Sequence, residues 1–165
     1  SKISGFLQLF VITSLTTYYM PRLSEIKNID TLKNEVYSTF RLVFPILVLV
    51  TLLIYTFRYY VVLILYTDEF LEITDLMKYQ LLGDVFKLIF WLFAYVTIAK
   101  GNFKYFLTLE LSFFIYYIFS SYFLVIYYDL EGAVWAYCIS YFINLCLSIF
   151  LFLRFCRLEK IKNKK

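Results

Sequence analysis

The sequence predicts an all-α integral membrane protein of about five transmembrane helices. Three observations carry that prediction. Apolar residues make up 62% of the 165-residue chain and the mean hydropathy is +0.75, against about 45–50% apolar in an ordinary soluble domain. Glycine and proline number only four and two, whereas phenylalanine and tyrosine number 19 and 17. That balance favours long helices over barrel strands, which alternate polar and apolar residues in segments of about ten. Most charges gather between the apolar runs rather than within them.

A spanning helix needs about 20 mostly apolar residues. The five candidate spans lie at about 3–20, 40–57, 73–99, 103–127 and 132–153. The first is expected to stop at Pro21, which has no N–H to donate and disfavours helix in the residue before it. In the second, Pro45 is read as lying near the helix start, where a missing N–H costs least. Upstream, Ile29, Leu32, Val36 and Phe40 recur at helical spacing among charges. They predict a separate amphipathic helix lying on the interface. After Arg58, "YYVVLILY" is too short to span and reads as interfacial or re-entrant. The transmembrane domain is thus 1–153, and 154–165 is a frayed basic tail suited to anionic headgroups.

The connections sort by charge. Arg22, Lys27, Lys33 and Arg41 lie between the first two spans, Lys100 and Lys104 flank the short turn between the third and fourth, and six basic residues fill the tail. The remaining connections are acidic, with Asp68, Glu69, Glu72 and Asp75 in one and Asp129 and Glu131 in the other. The positive-inside rule then places the basic connections, and the C-terminus, in the cytoplasm. The net charge of +4 follows from those basic ends and carries no nucleic-acid inference.

Charge inside a span costs about 2.5–3.5 kcal/mol on insertion scales, so such residues face protein or water. In the third span Gln80, Gly83, Asp84 and Lys87 share one helical face. Asp84 and Lys87 stand three apart, the acid first, and are placed to meet as a pair. Two readings stand: a mutually neutralised packing pair, or part of a polar path. Glu110, in the fourth span, has no basic partner within a turn of its own helix and is expected to face a cavity or a charge on another span. Ser140, Asn144 and Ser148 form a stripe expected to act as interhelical glue. Arg58 either snorkels to the outer headgroups or meets a phosphate at a cavity rim.

Enzymatic readings find little support. The chain has no histidine, the commonest acid–base group and metal ligand. No phosphate-binding glycine loop or nucleophile elbow is present, and no cofactor is implied. Cys138, Cys146 and Cys156 have neither metal-site nor disulfide spacing and read as small apolar fillers. Transport, channel or scaffold roles remain.

Three stretches carry a family resemblance. "TYYMPRLSEI", "YQLLGDVFKLIFWLFAYVTIAKGNFKYFLTLEL" and "YYDLEGAVWAYCISYFI" resemble, in order, segments of the C-terminal lobe of Wzx-type polysaccharide flippases, the O-antigen and lipid III translocases among them. The resemblance implies a MATE-like exporter fold of two pseudo-symmetric lobes around a cavity, of which this chain is part of the second. The implied cargo is an undecaprenyl-pyrophosphate-linked oligosaccharide, crossing the bacterial inner membrane. Implied partners are membrane lipids and the polysaccharide polymerase and chain-length proteins. Carried over by position, Asp84 and Lys87 match the family's charged pair and Glu110 its acidic residue. Lys87 would attract phosphate, Asp84 would hold Lys87 or exchange a proton or cation, and Arg22 would greet the pyrophosphate at the cytoplasmic mouth or merely obey the charge rule. The start at "SKISGFLQLF", without Met or signal peptide, gives the expectation of a C-terminal piece. Alternatives are a lipid II-type flippase, a drug or ion exporter of the same superfold, and a small non-transporting membrane scaffold.

The charge map makes a direct prediction. A reporter fused after Lys165 should be active only as a cytoplasmic fusion, and one inserted beside Asp129 only as an external one; the reverse pattern would invert the topology.

Overall fold

The computed structural model describes residues 2–60 and 76–162. Those residues form helices joined by short connections, with no strand among them. Three helices are long and apolar enough to cross a membrane: Ile29–Thr56, Met77–Ala99 and Phe103–Ile161, the last broken at Asp129. "YYVVLILY" beyond Tyr60, and the acidic connection Asp68 to Asp75, lie outside the described residues.

Helix α1, Lys2–Ser14, does not end at Pro21 as the sequence suggested. It passes through a π-helical turn, Leu15–Tyr19, into α2, Met20–Glu25. The Met20 N–H reaches back to the Leu15 carbonyl, five residues away. That wider turn sits where Pro21 leaves a gap in the ordinary i−4 ladder, so the chain stays helical across it. Leu15, Tyr19 and Leu23 recur every four residues and are buried, forming one stripe against the bundle.

Helix α3, Ile29–Thr56, corrects two further expectations. The amphipathic stretch is not a separate interfacial helix; it runs without a break into the second span. Asn28 caps it, its Oδ1 accepting from the backbone N–H of Asp30 at 2.8 Å and of Thr31 at 3.5 Å. Ile29, Leu32 and Val36 are buried as the spacing required. Pro45 therefore lies inside the helix rather than near its start. Its helix continues because the neighbouring turn is held by buried Leu47 and half-buried Val43; such a proline is tolerated in membrane helices packed on one side. Leu42, Ile46, Leu49 and Leu53 are at least half exposed, an arrangement suited to lipid rather than water.

Helix α4, Met77–Ala99, lies at the centre and packs against α1, α2, α3 and the last helix. It ends where the sequence reading put it, through "AKGN". Gly101 adopts φ 70 and donates to the Ile98 carbonyl at 2.9 Å, while the Asn102 N–H donates to Thr97 at 2.8 Å. These paired bonds terminate a helix with a left-handed residue that glycine supplies without strain.

Helix α5, Phe103–Lys162, is two arms, 103–128 and 130–162, folded back at Asp129, whose φ is 46° and ψ −124°. Phe113 meets Tyr141 across the arms at 4.3 Å between ring centroids, and Tyr128 meets Trp135 at 5.0 Å. At Gly132 any Cβ would collide with the Leu124 carbonyl, so glycine sets the closeness of the arms. The second arm runs parallel to α4, since Tyr79–Trp135, Phe86–Phe142 and Phe93–Phe152 pair in the same order. The described part of the basic tail, 154–162, is not frayed: the arm stays helical to Lys162, with Cys156 fully buried. All three cysteines are free thiols, Cys138 half-buried and Cys146 exposed.

One end of the bundle collects the basic connections. Arg22 pairs with Glu35 at 2.5 Å, Lys160 pairs with Asp30 at 3.2 Å, and the Lys100 amine donates to the Ile26 carbonyl. The Glu35 carboxylate raises the Arg22 guanidinium above its ordinary range, and burial lowers the Lys100 amine below its own.

The hairpin geometry gives an expected outcome. Asp129→Gly removes a strained backbone angle and should raise thermal stability in detergent by about 1 kcal/mol. Gly132→Ala should lower it in the same melt by forcing the arms apart.

Candidate functional site

On α4, the face chosen from the sequence is where the charges are. Asp84 is 4% exposed. Its Oδ1 accepts from the Tyr137 hydroxyl at 2.8 Å and from the Gln8 side-chain amide, also at 2.8 Å. The Gln8 carbonyl in turn accepts from the Lys87 amine at 2.9 Å. Asp84 and Lys87 thus do not close on each other as their spacing suggested. An amide from α1 stands between them. The reason is chemical: Gln8 carries a donor and an acceptor on one planar group and serves both charges at once.

Aromatic rings enclose the cluster. The Lys87 amine lies 5.5 Å from the Tyr141 ring centroid, and Tyr141 packs edge-on against Tyr137 at 4.8 Å. The Tyr137 ring can reach Asp84 because residue 83 is glycine. A Cβ there would fall 2.6 Å from that ring and 3.3 Å from the Cys138 Cα. Glu110, on the first arm of α5, lies near enough to Lys87 for the two charges to act on each other. The group therefore joins α1, α4 and both arms of α5. The second Asp84 oxygen, Oδ2, is buried and has no hydrogen-bond partner among the described residues.

The other expected site residues lie elsewhere. Gln80 is half-buried one turn before Asp84 and makes no side-chain hydrogen bond among the described residues. Arg22 bonds Glu35 and the Tyr18 hydroxyl at the end of the bundle. The Arg58 guanidinium lies 4.5 Å over the Tyr55 ring. Neither arginine joins the cluster. Ser140, Asn144 and Ser148 are buried between helices, but not as hydrogen-bonding glue. Ser148 donates to Leu145 on its own helix at 2.8 Å, and the polar side-chain atoms of Ser140 and Asn144 find no partner among the described residues. A cavity of about 460 Å³ between α3, α4 and the second arm is lined only by side chains such as Phe40, Leu82, Phe86 and Ile149, with Thr51 at its edge. It suits hydrocarbon, not a polar ligand.

Sequence reasoning did not single out Gln8, Tyr137 or Tyr141. Gln8 had a signal, as a lone amide within the apolar run "GFLQLFVI". The tyrosines had none, being two among 17.

Membrane-length helices around a buried acid and a half-buried base define a polytopic helical membrane protein with a polar site between its helices. The chain is 28% identical over 156 residues to the lipid III flippase of Escherichia coli (strain K12), a match covering 93% of this chain and 38% of that protein. The lipid III flippase of Shigella flexneri matches to the same extent. The similarity bears out the flippase resemblance read from the three stretches. The chain spans well under half the length of these curated relatives. No family model matches. No solved structure gives a significant match.

The packing of Tyr137 yields a prediction. Tyr137→Phe removes one of two donors from a buried carboxylate and should cost about 1–3 kcal/mol. Gly83→Ala should lower the melting temperature by displacing the same ring, and Tyr137→Ala should recover part of that loss in the double variant.

Proposed function

We propose that this chain forms part of the C-terminal lobe of a two-lobed, MATE-like flippase for lipid-linked oligosaccharide. The observation that carries the reading is the similarity to lipid III flippases along nearly the whole chain. The proposed cargo is an undecaprenyl-pyrophosphate-linked repeat unit of the O-antigen type. The proposed setting is the bacterial inner membrane, with five spans within 1–153 and residues 154–165 in the cytoplasm. Polysaccharide polymerase and chain-length proteins are the proposed partners. Movement is by rocking of lobes, without covalent chemistry.

The physical case is one of matching. A pyrophosphate bearing sugars needs hydrated, partly cationic surroundings, while its polyprenyl tail remains in hydrocarbon. Lys87 supplies the cation for the phosphates. Asp84 and Glu110 balance it when no cargo is bound, and Gln80 extends the same face. Arg22 and Arg58, away from the cluster, are assigned to the two ends of the path. Tyr141 and Tyr137 give flat apolar faces of the kind on which sugar rings rest.

The test is complementation of a flippase-deficient strain by the full-length gene. Asp84→Ala, Lys87→Ala and Glu110→Ala should each reduce surface polysaccharide at least about tenfold at equal protein level, the scale expected when one partner of a buried charge pair is removed. Wild-type polysaccharide from all three would reduce the cluster to a packing device.

A further inference from the structure

We infer that Gln8 is an exchangeable bridge, docking α1 on α4 by bonding both Asp84 and Lys87, which close directly on each other when α1 swings away. The inference concerns a motion of α1 and does not depend on the identity of the cargo.

The problem such a motion must solve is electrostatic. A charge in hydrocarbon is tolerable only while it has a partner. In the docked arrangement the Gln8 amide gives its N–H to Asp84 and takes one from Lys87. If α1 left and nothing else changed, Lys87 would lose that acceptor and Asp84 one of its donors. The remedy is already on α4. The two residues are three apart with the acid N-terminal, the favourable order for a direct pair. Asp84 Oδ2 is buried and unbonded among the described residues, so an acceptor is ready for the Lys87 amine. Tyr137 continues to hold Oδ1 meanwhile, because it comes from α5 and not from α1.

The backbone supplies a pivot in the right place. Between Gln8 and α2 lies the π-helical turn Leu15–Tyr19, a feature at which helices commonly bend. Thr16 on that turn donates its hydroxyl to the Ile12 and Thr13 carbonyls, at 2.9 and 3.0 Å, a back-bond that often accompanies a bend. Beyond the turn the chain is fastened. Arg22 holds Glu35 of α3, and Lys100 of the α4–α5 turn holds the Ile26 carbonyl. One end of the α1–α2 unit is therefore anchored, while at the other Val11 and Ile12 pack on the core and the polar link to α4 is an amide with no charge of its own.

The test is a distance measurement in the full-length protein in lipid nanodiscs. Cys138, Cys146 and Cys156 are replaced by alanine, and spin labels are placed at Leu9 and Leu82, both exposed. Gln8→Leu should lower the ratio of docked to swung populations roughly tenfold, the scale of losing a hydrogen bond to a buried charge. Lys87→Met, and Asp84→Asn in a Glu110→Gln background that removes the other carboxylate acting on Lys87, should each raise that ratio, since each strands the surviving charge when α1 leaves. A simple packing role predicts the opposite for those two variants, with all three loosening α1 together. The inference is overturned if Gln8→Leu keeps the wild-type distance distribution, or if the charge variants move in its direction. If Gln8→Leu does not insert, Gln8→Asn, whose shorter amide reaches only one charge, is judged by the same criterion. No cargo enters the measurement, so its failure and a failure of complementation are separate results.

Discussion

Hydrocarbon offers no hydrogen bonds, so the cost of holding Asp84, buried, and Lys87, half-buried, on one helix governs much of this architecture. Each charge must be matched by groups brought from other segments. Tyr137 comes from the second arm of α5, Gln8 from α1 and Glu110 from the first arm. Helix α4 is central because the segments that satisfy it must surround it. The matching reaches into residues with no polarity of their own. Gly83 is small so that the Tyr137 ring can lie over it, and Gly132 is small so that the arm carrying Tyr137 can return beside the arm carrying Glu110.

The ends of the bundle obey a different balance. Arg22–Glu35 and Lys160–Asp30 are substantially exposed ion pairs, and such pairs contribute about 0–1 kcal/mol each. Their value is positional. They tie the α2–α3 connection and the tail helix to one edge, beside the turn that Gly101 closes. At the opposite edge Asp129 makes the reversal in a backbone region costly for any residue but glycine. The hairpin pays for that angle with the ring contacts of Phe113 and Tyr128 across its arms.

What the sequence disclosed follows from how local each signal is. Asp84, Lys87 and Glu110 stood out because charge in an apolar run is rare and has few explanations. The C-terminal end of α4 and the start of α5 were legible because Lys100, Gly101 and Asn102 form a local stop signal. Longer-range facts were hidden. Pro21 and Pro45 look like helix ends until one knows that a π turn absorbs the first and that packing at Leu47 supports the second. The charged stretch before Phe40 read as interfacial because charge density was weighed above the unbroken buried stripe of Ile29, Leu32 and Val36. The direct Asp84–Lys87 pair was the best inference within one helix. It failed because the partner that intervenes lies 76 residues away from Asp84 in sequence.

The choice of amide at position 8 bears on why the cluster is built from three helices rather than one. A carboxylate there would bond Lys87 but repel Asp84 across the same short gap. An ammonium or guanidinium would do the reverse, and would leave its own charge stranded whenever α1 separated from α4. A hydroxyl is too short to span two charges one turn apart. Glutamine alone among common side chains reaches both with a donor and an acceptor while remaining neutral. Its neutrality keeps all formal charge on α4 and α5, elements fastened to each other along parallel ring contacts. The formal charge of the cluster is thus confined to α4 and α5, and α1 contributes only a neutral amide to it.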